Sequence, residues 1–131
     1  VLITGASQGI GAGLAEVFAE EGCNLHLVAR SADKLNANAA KLRETHGTDV
    51  TVHEFDISSR DAPEGIAEAV GEVDILVNNA GAIPGGDLWQ VDADAWRAGW
   101  EVKVFGYIDL CREFYKRMKA AGGGVILNNI G

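Results

Sequence analysis

Apolar and polar positions alternate along this chain in two rhythms. Short apolar-rich runs, Val1–Thr4, Leu25–Val28, Val50–Phe55, Val73–Val77 and Val125–Asn128, read as five β-strands. Longer segments with helical spacing separate them. The first, Gly9–Glu21, puts Leu14, Val17 and Phe18 on one face; Ala32–Thr45 follows, then Ser58–Val70 with Ser58 or Ser59 as N-cap. A Gly/Pro-rich loop, Ala82–Asp87, leads into a long helical region from about Asp92 to Ala120, which Gly122-Gly123-Gly124 ends. Strands separated by helices predict βαβ units, hence a parallel sheet with right-handed crossovers in a doubly wound α/β fold. Such sheets bind ligands at the carboxyl ends of their strands, where the strand order reverses. That rule gathers Gly5–Gly11, Ala29–Ser31, Asp56–Ile57 and Asn79–Ala82 on one rim.

The first strand runs into Thr4-Gly5-Ala6-Ser7-Gln8-Gly9-Ile10-Gly11. Glycines let backbone N–H groups approach a pyrophosphate without an intervening Cβ, and a helix beginning near Gly9 aims its positive end at that anion. Glycine-rich strand-to-helix turns also occur as plain connections, so this turn alone leaves the ligand open. The fourth strand ends in Asn78-Asn79-Ala80-Gly81. With both motifs in order at strand ends, the chain resembles the short-chain dehydrogenase/reductase family over its whole length, matching that family's first half.

The resemblance implies a Rossmann-type sheet, here truncated after the fifth strand, that binds NAD or NADP. It implies cofactor contacts from Gly5, Ser7, Gln8, Gly9, Ile10, Gly11, Arg30, Asp56, Ile57, Asn79, Ala80 and Gly81. Arg30 closes the second strand, and Ala29 stands where NAD-preferring members usually carry Asp. An arginine there suits a 2′-phosphate, which favours NADP(H) and leaves NAD(H) open. The alternative is a solvated arginine stacked on the adenine. Gln8 occupies a position where many NADP-preferring relatives have a second basic residue. Asp56 would accept from the adenine amino group beside Ile57, or instead cap the following helix at Ser58.

Two positions depart from the family pattern. Lys103 falls where a catalytic asparagine normally holds a proton-relay water, and Gly131 where a serine orients the substrate carbonyl, in a register uncertain by one residue. Lysine offers donors only, or a proton shuttle if its pKa is depressed, the alternative being a side chain that reaches solvent or a carboxylate; glycine offers no hydroxyl. Tyr115-Lys116-Arg117-Met118-Lys119 spells the family's Tyr-x-x-x-Lys, but it precedes the fifth strand and reads as a helix-end surface pair.

Composition narrows the rest. Eleven basic against 19 acidic residues give a net charge of −8, with no basic stripe for nucleic acid. No apolar run approaches the ~18 residues of a membrane span. Cys23 and Cys111 are isolated and read as buried free thiols; His26, His46 and His53 are read as unclustered, without a catalytic or metal role. Trp89, Trp96 and Trp100 are expected to pack the long helix, the alternative for Trp89 being to line a substrate pocket. Leu110, Phe114 and Met118 recur at i, i+4, i+8, fitting either the sheet or a partner subunit. Val1 opens inside a strand without Met, so the single domain of residues 1–131 is expected to be incomplete at its C-terminus and inactive alone. The predicted parent is a cytoplasmic NAD(P)-dependent oxidoreductase acting on a small carbonyl or alcohol, homo-oligomeric by family. The rival is a non-catalytic dinucleotide-binding sensor or scaffold; a methyltransferase on a similar sheet fits Asn78–Gly81 poorly.

Overall fold

A computed structural model describes residues 1–81 and 83–130. Five parallel strands, β1 (Leu2–Thr4), β2 (Leu25–Ala29), β3 (Val50–Glu54), β4 (Ile75–Asn78) and β5 (Val125–Asn128), pair in the order β3-β2-β1-β4-β5. The reversal between β1 and β4 is the switch point that the alternating pattern implied. Helices α1 (Gly9–Glu20) and α2 (Ala32–His46) cover one face; α3 (Ala62–Val70) and α5 (Tyr107–Ala120) cover the other. The strands sort their side chains accordingly. Ile3, Leu27 and Val77 bury against α1 and α2, whereas Leu2, Val28 and Leu76 meet Ile66, Leu110 and Phe114. The Leu110, Phe114 and Met118 stripe therefore packs inward, on the sheet.

Four local expectations are corrected. The third helix starts at Ala62, not Ser58, and neither serine caps it; the chain from Ser58 to Asp61 is turn, and Pro63 sits at the helix's first turn. The long helix is not uniform: α4 (Ala93–Trp100), capped by Asp92 accepting from the Asp94 and Ala95 N–H groups, passes through a π-helical segment, Glu101–Gly106, into α5. Gly106 permits the close approach there, because a Cβ would collide with the Ile57 side chain and sit 3.1 Å from its carbonyl oxygen. Finally, His26 and His53 are not isolated. They meet across β2 and β3 with Nδ1 3.0 Å from Nε2 and stacked rings, and burial holds both below the usual histidine range. His46 pairs with Glu16 at 2.8 Å, joining α2 to α1. Both cysteines are free and half-buried rather than fully buried.

Edge strand β5 keeps Ile126 against the α3–α5 side, but Val125 and Leu127 are exposed. Among the described residues, no helix is long and apolar enough to cross a membrane.

Candidate cofactor site

The carboxyl ends of β1, β2 and β4 open onto a groove of about 760 Å³. Its walls bring together Gly5, Ser7, Gln8, Gly9, Ile10, Arg30, Asp56, Ile57, Asn79, Ala80, Gly81 and Lys103, all singled out from the sequence. Gly11 does not line it and lies behind the turn. Gly131 and Ala82 fall outside the described residues.

The rim is built by interlocked polar groups. Buried Thr4 accepts the Asn79 and Ala80 N–H groups on Oγ1 at 3.0 and 3.1 Å and lies 3.4 Å from the Val77 carbonyl. The Asn79 amide returns the bond, donating to the carbonyls of Thr4 and Gly5 at 3.2 and 3.3 Å. Gly5 has φ +68°, and a Cβ on it would lie 2.7 Å from Ala80 Cα. Glycine is thus required at that crossing for both conformation and space. At Gly11 a Cβ would collide with the Gly5 carbonyl and lie 2.5 Å from the Asn79 amide. These close approaches weld the β1 turn to the end of β4.

Helix α1 begins at this turn, and its N-cap Gln8 makes no side-chain cap bond. The first-turn N–H groups of a helix have no intrahelical acceptor, so they remain donors at the groove. The donor set fits a pyrophosphate. At the second-strand end, Ala29 and Arg30 both line the groove, with Arg30 exposed. Asp56 accepts on Oδ1 from the Ser58 hydroxyl at 2.7 Å and the Ser58 N–H at 3.0 Å. Those bonds, with a smaller contribution from Arg30, hold its carboxyl below the usual range. Asp56 thus both braces the turn before α3 and faces the groove.

At the far end, Lys103 in the π-helical segment donates from Nζ to the Asn129 carbonyl at 2.5 Å and to Tyr107 Oη at 3.2 Å. Tyr107 Oη donates to the Ala80 carbonyl at 2.8 Å, so this cluster ties the ends of β4 and β5 to the helix. Burial holds the Lys103 ammonium below the usual lysine range and pushes the Tyr107 phenol up to about 12. Asn78 and Asn79 are matched by Asn128 and Asn129 across the same two strands, each pair bonded at 2.9 Å. Tyr115 is exposed on α5, before β5, and does not line the groove. Trp96 and Trp100 line a second hollow with Phe105, but only Trp96 is half-buried; Trp89 and Trp100 are exposed rather than packed.

Ser31, gathered on the rim by topology, lines the groove as well, whereas Lys34, Val102 and Asn129 escaped sequence reasoning. Asn38 was also missed; its amide donates to the Ala6 and Ser7 carbonyls at 3.3 and 2.9 Å, steadying the turn from α2. Only its i, i+4 spacing from Lys34 gave a signal.

A five-stranded parallel sheet with this rim at the switch point defines a Rossmann-type α/β domain. The model of short chain dehydrogenase matches residues 1–130, and the chain belongs to that oxidoreductase family. It is 35% identical over 126 residues to galactitol 2-dehydrogenase (L-tagatose-forming) of Cereibacter sphaeroides, covering 96% of this chain and 50% of that protein. It is 33% identical to D-threitol dehydrogenase of Mycolicibacterium smegmatis, covering 97% and 50%. Among solved structures, a short-chain dehydrogenase from Sphingobium yanoikuyae in complex with NADPH matches with TM-score 0.88 and 34% identity, covering 95% of this chain and 50% of that one. L-sorbose reductase from Gluconobacter frateurii, complexed with NADPH and L-sorbose, matches with TM-score 0.85 and 36% identity, covering 95% and 49%. The chain spans about half the length of these relatives.

Proposed function

We propose that this chain is the cofactor-binding half of a cytoplasmic, NADP(H)-preferring oxidoreductase that interconverts a small-molecule carbonyl and alcohol, and that it is inactive without the remainder. The nicotinamide supplies the hydride at C4. The chain's residues bind and orient it. The uncapped start of α1, reached over Gly5, Ser7, Gln8, Gly9 and Ile10, takes the pyrophosphate, with Gly11 allowing the close fit. Asp56 and Ile57 flank the adenine, and Asn79, Ala80 and Gly81 meet the adjoining ribose. Polyol and sugar relatives support a hydroxylated substrate class.

The observation that carries the cofactor choice is Arg30, exposed at the groove beside Ala29, whose methyl side chain cannot accept from a ribose 2′-hydroxyl as a carboxylate at that position would. Arg30→Ala in the whole protein is expected to raise the Kd for NADPH much more than that for NADH. Equal losses would refute the NADP(H) assignment.

Lys103 is the chain's own departure in chemistry. Its protons are directed at Asn129 and Tyr107 rather than at a carboxylate, and its lowered pKa suits a group that holds and releases a proton at the nicotinamide end. With Gly131 supplying no hydroxyl at the serine position, generic ketones would be poor substrates. That departure also sustains a second reading, a dinucleotide-binding sensor or scaffold without turnover.

A further inference from the structure

The sequence lacks a basic residue at Gln8, inside the phosphate turn. The structure shows how a positive charge reaches that place from another element. Lys34, in the first turn of α2, lines the groove and donates from Nζ to Gln8 Oε1 at 3.2 Å. One helical turn later, on the same face of α2, Asn38 holds the Ala6 and Ser7 carbonyls. Residues four apart on a helix lie one above the other. Asn38 therefore fixes α2 against the turn and sets the Lys34 ammonium over its groove side. Arg30 and Ser31, just before α2, line the same end of the groove, and Ser31 makes no side-chain cap bond.

The carboxylates nearby are already accounted for. Asp56 stands on the Arg30 side and feels its charge, whereas Asp33 does not line the groove. Among the described residues, Lys34 forms no ion pair with a carboxylate; the ion pairs involve Lys41, His46, Arg112 and Lys116. Its partner, Gln8, is a neutral amide, and the Lys34 ammonium gains more from an anion, which adds charge–charge attraction to the hydrogen bond.

We propose that Lys34 is a specificity-determining residue that, with Arg30, clamps the 2′-phosphate of NADP(H), α2 supplying the cation that the Gln8 position lacks. This rests on the NADP(H) reading above. The two cations act differently: the Arg30 guanidinium provides a planar fork, and the Lys34 ammonium a mobile point charge that moves from Gln8 to the phosphate. Both are solvent-exposed, so each contribution is moderate and weakens with added salt.

The test is equilibrium binding of NADPH and NADH to the whole protein, followed by nicotinamide fluorescence, for wild type, Lys34→Ala, Lys34→Arg and Arg30→Ala. Lys34→Ala is expected to raise the Kd for NADPH about three- to tenfold, as loss of an exposed charge contact implies, and to leave NADH within about twofold. Lys34→Arg should retain NADPH binding. Unchanged NADPH affinity in Lys34→Ala, or equal weakening of both cofactors, would overturn the role of Lys34 even if Arg30→Ala removes the NADPH preference. A wild-type protein with no preference for NADPH would overturn the underlying cofactor assignment instead.

Discussion

The Thr4 hydroxyl lies 3.1 Å from the Ala80 N–H, and that bond joins the end of β1 to the end of β4 across the groove's floor. The same oxygen also accepts from Asn79, so one buried side chain satisfies two backbone donors. Thr4→Val keeps the shape and removes the one acceptor of both bonds, leaving two N–H donors unpaired. Leaving buried polar groups unpaired costs about 1–3 kcal/mol each, so this variant should lose about 2 kcal/mol or more. Thr4→Ser should lose less, since it keeps the oxygen. Urea denaturation of the whole protein, read as a change in midpoint at constant slope, measures the difference.

Gly11 and Gly13 lie two residues apart in α1 and make opposite predictions. An alanine at Gly11 drives its Cβ into the Gly5 carbonyl and the Asn79 amide, so Gly11→Ala should displace the phosphate turn and abolish cofactor binding. At Gly13 a Cβ meets nothing within 4 Å. Gly13→Ala should therefore raise stability by roughly 0.5–1 kcal/mol through helix propensity, with binding unchanged. Thermal unfolding with and without NADPH separates the two cases.

Tyr107 makes stability fall at high pH. Burial raises its folded-state pKa from the usual 10.0 to about 12. Its contribution is fully present below about pH 10 and lost as the pH climbs toward about 12, because the unfolded chain releases the phenolic proton first. Stability measured against pH should decline more steeply across that window in wild type than in Tyr107→Phe. Parallel curves would show that the phenol is not held in its neutral form.

Most of the fold was legible because a parallel sheet buries its strands as apolar runs that helical spacing cannot mimic. The rim was legible for the same reason: topology fixes which strand ends meet, and Gly5, Arg30, Asp56 and Asn79 all stand at such ends. What escaped depends on contacts between distant segments. The His26–His53 pair needs the β2–β3 register, which places Val28 opposite His53. Lys34 resembles any solvated helix lysine until Gln8 is brought beside it. The start of α3 was misplaced because Ser58 spends its hydroxyl on Asp56 rather than on a helix end. The π-helical turn around Lys103 has no periodic signature over so few residues.

Hydride transfer itself is the most direct measure of the proposed oxidoreductase role. The whole protein is incubated with NADPH carrying deuterium at nicotinamide C4, each face labelled in turn, and a panel of sugar-like and simple ketones. Deuterium is expected on the carbinol carbon of a hydroxylated product, from one face of the nicotinamide only, and with much slower turnover of simple ketones. Tight NADPH binding with no deuterium in any product would contradict the oxidoreductase role and leave a cofactor-binding sensor or scaffold.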